Sequence, residues 1–163
     1  HNHFAHLVPG AGRITSMSKA TREEYQSEYS LVYMDIDDRL NRIQNDLFDL
    51  GAETARILAD SPYRVALLAS SGWSHAFLTA KNHYLWPDTP SDRMMYDHLA
   101  AGNYAAFRAY SGAAVEDCGQ QEILNWMCLA GALSALVRKP QETGFVDTWI
   151  FNSSKVFLIA QPG

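Results

Sequence analysis

The chain has 163 residues, 47% of them apolar, with four Trp, seven Phe and eight Tyr, enough to bury a core and to exclude a wholly disordered polypeptide. Eighteen acidic against thirteen basic residues give a formal charge of −5 with no basic block, which excludes non-specific nucleic-acid binding as a primary function. Cys118 and Cys128 match no zinc spacing, and no apolar stretch reaches membrane-spanning length, so the simplest reading is a reduced, cytoplasmic protein with no membrane partner.

The first thirty residues carry the breakers Pro9, Gly10 and Gly12 and then a polar stretch with no clear period. They read as an arm, or as the remnant of a missing N-terminal half, with a short helical turn around 19–27. The start at His1 rather than Met points the same way. Residues 31–163 read as the folded portion. Leu31–Ile36 (LVYMDI) is a strand candidate ending in acidic residues. Leu40, Ile43, Leu47, Leu50, Thr54 and Ile57 then recur at helical spacing, which predicts a helix from about Asp38 to Asp60 with that face buried. Ser61-Pro62 stops it, because the residue before a proline is pushed out of the helical region.

Arg64–Ser70 (RVALLAS) is a continuous apolar run of strand length, the pattern of a strand covered on both faces. Strand, helix and strand in that order predict a βαβ unit. Asp92–Ala101 and Tyr104–Tyr110 read as short helices parted by Gly102, and Gln120–Val137 as a long apolar helix. Thr148–Phe151 and Lys155–Ala160 read as a terminal hairpin turned at Asn152-Ser153-Ser154. The expected fold is α/β: a mixed sheet with helices packed on it.

The Arg64–Ser70 run leads directly into Ser71-Gly72-Trp73-Ser74-His75. In open α/β sheets ligands bind beyond the carboxyl ends of the strands, so His75 is placed to meet a substrate. Its intrinsic pKa suits general acid–base work; the alternative is a histidine that only ties the loop. Glu122 opens the long helix, where an acid is most simply a cap or dipole partner. Its other reading is a hard carboxylate ligand for a divalent metal. His1 and His3 share one face of an extended segment and could chelate, with His6 close by; a frayed terminus or a tag remnant is the simpler reading. His83 and His98 read as surface residues. The nucleophile elbow G-x-S-x-G, a Gly-rich phosphate loop and Cys-x-x-Cys are all absent, so serine-hydrolase and nucleotide readings fall away.

Three segments together resemble a family. RVALLASSGWSHAFL, DHLAAGNYAAFRAYSGAAVEDCGQQEILNWMCLAGAL and TWIFNSSKVFLIA are similar to the C-terminal half of class III extradiol ring-cleavage dioxygenases, the family of the protocatechuate 4,5-dioxygenase β subunit and of gallate and methylgallate dioxygenases. The similarity runs from near Leu31 to the C-terminus, about four-fifths of the chain. It implies that His75 is the acid–base residue and Glu122 the carboxylate ligand of a non-haem Fe(II) centre of the two-histidine, one-carboxylate type. The implied reaction opens a catecholic ring next to its hydroxyls with O2. Trp73 and Ser74, in the same turn, are the candidate substrate contacts. Of the family's two histidine ligands, His3 within Asn2-His3-Phe4 loosely matches one, without the family's aspartate, and the other has no counterpart. The resemblance therefore implies an additional chain or a homo-oligomer that completes the site. The alternative is a non-catalytic domain of the same fold that serves as a partner or assembly subunit.

Overall fold

A computed structural model describes residues 19–148 and 152–161. The chain divides into two units, 1–39 and 40–163. In the first, the described residues are helical from Lys19 onward, as part of α1 (Lys19–Ala59). Leu31–Ile36, expected as a strand, lies in this helix.

The second unit holds the rest of α1, followed by α2 (Thr89–Ala101), α3 (Tyr104–Arg108), α4 (Gly112–Asp117), α5 (Leu124–Ala135), β1 (Glu142–Val146) and β2 (Lys155–Ile159). Its helix boundaries follow local chemistry. The Asp88 side chain accepts from the Ser91 N–H at the start of α2, and Pro90 occupies the first turn, where a missing N–H costs nothing. Gly102 ends α2 in the left-handed region (φ 71°), a conformation open to glycine at little cost. Asn103 and Ser111 cap α3 and α4. The long helix expected over 120–137 is shorter: a 3-10 turn, Gln121–Ile123, leads into α5.

The core joins Trp73, Met95, Leu99, Phe107, Ile123, Trp126, Met127 and Leu133. α1 contributes a face other than the one its apolar spacing predicts. Gln44, Phe48, Ala52 and Ala55 are buried, whereas Ile43, Leu50 and Ile57 are exposed. Close approach of backbones explains the choice. A Cβ on Gly51 would run into the Cys128 backbone, and one on Gly131 into the Phe48 backbone. Only the small-residue side of α1 lets the two helices come that near.

No βαβ unit forms among the described residues. Arg64–Ser70 belongs to no strand, and Leu68 is 88% exposed. A strand is stabilised by a neighbour, and the segment expected beside it is helical. The sheet present is a two-stranded antiparallel ladder of β1 and β2, in register Glu142↔Ile159 through Val146↔Lys155. β2 falls where it was expected, but its partner is Glu142–Val146. Thr148 lies outside the strands, and Trp149–Phe151 lie outside the described residues. Gly144 explains how an unpromising ETGFV segment pairs: the Phe157 ring occupies the space a side chain there would need. The hairpin docks on α2 through the Tyr96–Thr143 hydroxyl bond (2.9 Å) and through Arg93, whose guanidinium lies 3.8 Å from the Phe145 ring centroid. Helices with a small antiparallel sheet make this a mixed α/β structure. No helix among the described residues is long and apolar enough to cross a membrane.

Candidate functional site

Three irregular segments converge: the turn 71–75, the turn 119–122 and the segment before β2. The His75 N–H donates to the Gly119 carbonyl (3.0 Å), the Ala76 N–H donates to the Asn152 carbonyl (2.9 Å), and His75 and Ser153 form an isolated antiparallel bridge. The Trp73 N–H reaches the Ser153 hydroxyl at 3.2 Å. These bonds satisfy backbone groups that no helix or ladder serves.

The junction brings His75 and Glu122 together. His75 Nε2 lies 3.3 Å from Glu122 Oε2, with the imidazole side chain 15% and the carboxylate side chain 51% exposed. Nε2 is therefore within ion-pair reach of the carboxylate, is itself buried, and has no hydrogen-bond partner among the described residues. Glu122 is not a helix cap. Its Oε2 accepts from the Gly72 N–H at 2.7 Å, and its own carbonyl accepts from the Ser71 hydroxyl at 2.7 Å. The Gly72 N–H, with smaller contributions from the His75 ring and Lys155, holds the carboxyl below the ordinary Glu range against a modest opposing effect of burial. Glycine at position 72 is a steric requirement, because a Cβ there would lie 2.6 Å from His75 Nε2 and 3.1 Å from Glu122 Oε2.

Trp73 and Ser74 stand behind the pair. Both are fully buried, Trp73 edge-on to Trp126 with ring centroids 5.5 Å apart. The Ser74 hydroxyl donates to Asp92 at 2.6 Å. Their surfaces are spent on the core and on a carboxylate, which leaves neither exposed to meet a substrate. His3 lies outside the described residues. His83 is exposed and His98 partly so.

Sequence reasoning missed Gln120 and Asp92. A carboxylate in the first turn of a helix reads as a cap, and only the presence of Asp88 as the actual cap marks Asp92 as surplus. A second polar cluster braces the loop after His75. Lys81 bridges Asp88 (2.6 Å) and Asp117 (2.9 Å) and reaches Cys118 Sγ at 3.2 Å. Burial pushes the Cys118 thiol up, which disfavours the reactive thiolate, and both cysteines are free.

A two-histidine, one-carboxylate iron site needs three converging donors. Among the described residues no three His, Cys, Asp or Glu side chains group in that way. The pair supplies one carboxylate and one imidazole, and that imidazole is the one the resemblance reserves for proton transfer. By itself the pair does not make a complete iron site among the described residues. No family model, curated protein or solved structure matches the chain.

Proposed function

We propose that the His75–Glu122 pair is the acid–base and carboxylate end of an extradiol ring-cleavage site, an oxidoreductase centre that takes a catecholic substrate, O2 and Fe(II). The two histidine donors would come from outside the described residues, with His3 as one candidate and an additional chain or a second copy as the other source. The observation that supports this reading is the 3.3 Å approach of the two side chains that the resemblance singles out, from turns far apart in sequence.

His75 has the attributes of a proton carrier. Its Nε2 is buried and faces Glu122 Oε2 at 3.3 Å with no hydrogen bond among the described residues, its side chain as a whole is partly exposed, and its backbone is pinned at Gly119. In the proposed role the imidazole takes a proton from a substrate hydroxyl and returns it in the course of ring cleavage. Glu122, kept ionised by the Gly72 N–H, offers a carboxylate beside the same spot. The buried Trp73–Trp126 pair anchors the turn in the core.

The test is anaerobic reconstitution with Fe(II), then exposure to protocatechuate or gallate in air with detection of the yellow ring-opened product. The 163-residue chain by itself is expected to be inactive even with iron. Coexpression with polypeptide that supplies the missing histidines is expected to yield about one iron per chain and turnover. Iron bound without cleavage of any catechol tested would sink the activity. Failure of every completed form to bind iron would favour the non-catalytic reading.

A further inference from the structure

We propose that Asp92 is the positioning residue of the His75–Glu122 pair: its buried carboxylate pins the two turns that carry them to one another. The inference rests on the reading that this pair is the working site, but its test does not need turnover.

Asp92 lies in the first turn of α2 and is fully buried. Oδ1 accepts from the Ser74 N–H at 2.9 Å and from Gln120 Nε2 at 2.6 Å, and Oδ2 accepts from the Ser74 hydroxyl at 2.6 Å. Ser74 immediately precedes His75, and Gln120 is the N-cap of the 3-10 turn that contains Glu122. One carboxylate therefore holds one side chain of each turn. The fold does not need it as a cap, because Asp88 already performs that task for α2. Burying a carboxylate carries a desolvation cost that an apolar residue would avoid. What its hydrogen-bond geometry secures is the relative placement of the two turns, from the buried side and in addition to the His75–Gly119 and Ser71–Glu122 bonds between them.

Removing the acceptor leaves the Ser74 N–H and the Gln120 amide buried without a partner, and both turns must shift to satisfy them. Asn at position 92 is different. Its Oδ1 keeps both Oδ1 contacts, and its NH2 can donate to the Ser74 hydroxyl, which rotates to accept. Hydrogen-bond geometry is the operative property, so the amide restores what alanine loses.

The experiment reads the His75 ring resonances by 1H–13C and 1H–15N NMR on the labelled full chain, assigned by their loss in His75→Phe. Glu122→Gln supplies the reference for a perturbed contact. Asp92→Ala, with far-UV circular dichroism unchanged, is expected to move the His75 signals away from their wild-type positions in the direction of that reference. Asp92→Asn is expected to leave them in place. Gln120→Met, which deletes only the Glu122-side link, is expected to move them as well and decides the matter if Asp92→Ala does not fold. A folded Asp92→Ala or Gln120→Met chain with wild-type His75 signals overturns the proposal, as does an Asn variant displaced as far as the alanine one. Absence of ring cleavage alongside the expected NMR shifts counts against the proposed activity alone.

Discussion

Gly72→Ala is the smallest change that reaches the pair directly. The backbone at 72 needs no left-handed conformation, and alanine keeps the N–H that binds Glu122, so the effect comes from one methyl group. That methyl would sit 2.6 Å from His75 Nε2 and 2.7 Å from Cε1. Carbon contacts are comfortable near ~3.5 Å, so the ring must retreat by roughly 1 Å. It has somewhere to go, because the side chain is partly exposed and packs only obliquely on Phe77, with ring centroids 5.1 Å apart. The stability loss should thus fall at the low end of overpacking costs, about 1 kcal/mol. Function should suffer more, since a ~1 Å displacement of a reacting group is worth on the order of 10²-fold in rate. Urea denaturation followed by circular dichroism measures the first effect, and kcat/KM of the iron-loaded, completed enzyme on a catechol measures the second. Wild-type stability together with kcat/KM within about twofold of wild type would refute the steric argument and the role of the pair's geometry at once.

Other perturbations separate the parts. His75→Phe is expected to cut ring cleavage by about 10²–10⁴-fold while iron content holds, and Glu122→Ala to remove the iron, as metal analysis of each variant would show; equal iron loss in both would mean the roles are exchanged or wrong. Burial pushes the Asp92 carboxyl above its ordinary value, despite hydrogen bonds from Ser74 and Gln120 that pull it down. Such a group binds its proton more tightly when folded, so stability is lost as pH rises from about 4, the unfolded value, through the folded one. Asp92→Asn has no proton to lose, so its stability relative to wild type should rise across that window and level off above it, read as urea midpoints from pH 3.5 to 7; a relative fall would contradict the assignment. Gly131→Ala drives a methyl into the Phe48 backbone and should cost about 1–3 kcal/mol in thermal or urea unfolding. An unchanged midpoint would show that α1 and α5 are not in close backbone contact.

Local chemistry was legible from the chain alone. Ser61-Pro62 ends α1 close to where it should, Gly102 parts α2 from α3, and Lys155–Ile159 is a strand, because breakers and short-range periodicity act within a few residues. His75 and Glu122 could be named from the turn and the resemblance. Which face of α1 is buried was not legible, since the apolar spacing favours Ile43, Leu50 and Ile57 while Gly51 and Gly131 admit closer backbone contact on the other side. Leu31–Ile36 and Arg64–Ser70 have strand composition, yet one is helical and the other joins no strand among the described residues, because a strand depends on a neighbour that composition does not specify. β1 was overlooked for the converse reason: Gly144 weakens the pattern, and only the Phe157 ring across the ladder makes use of its missing side chain. Asp92 reads as an ordinary first-turn acid until the fold carries Ser74 and Gln120 to its two oxygens. Residues distant in sequence acquire a joint role only when packing brings them together, so that junction belongs to the tertiary structure.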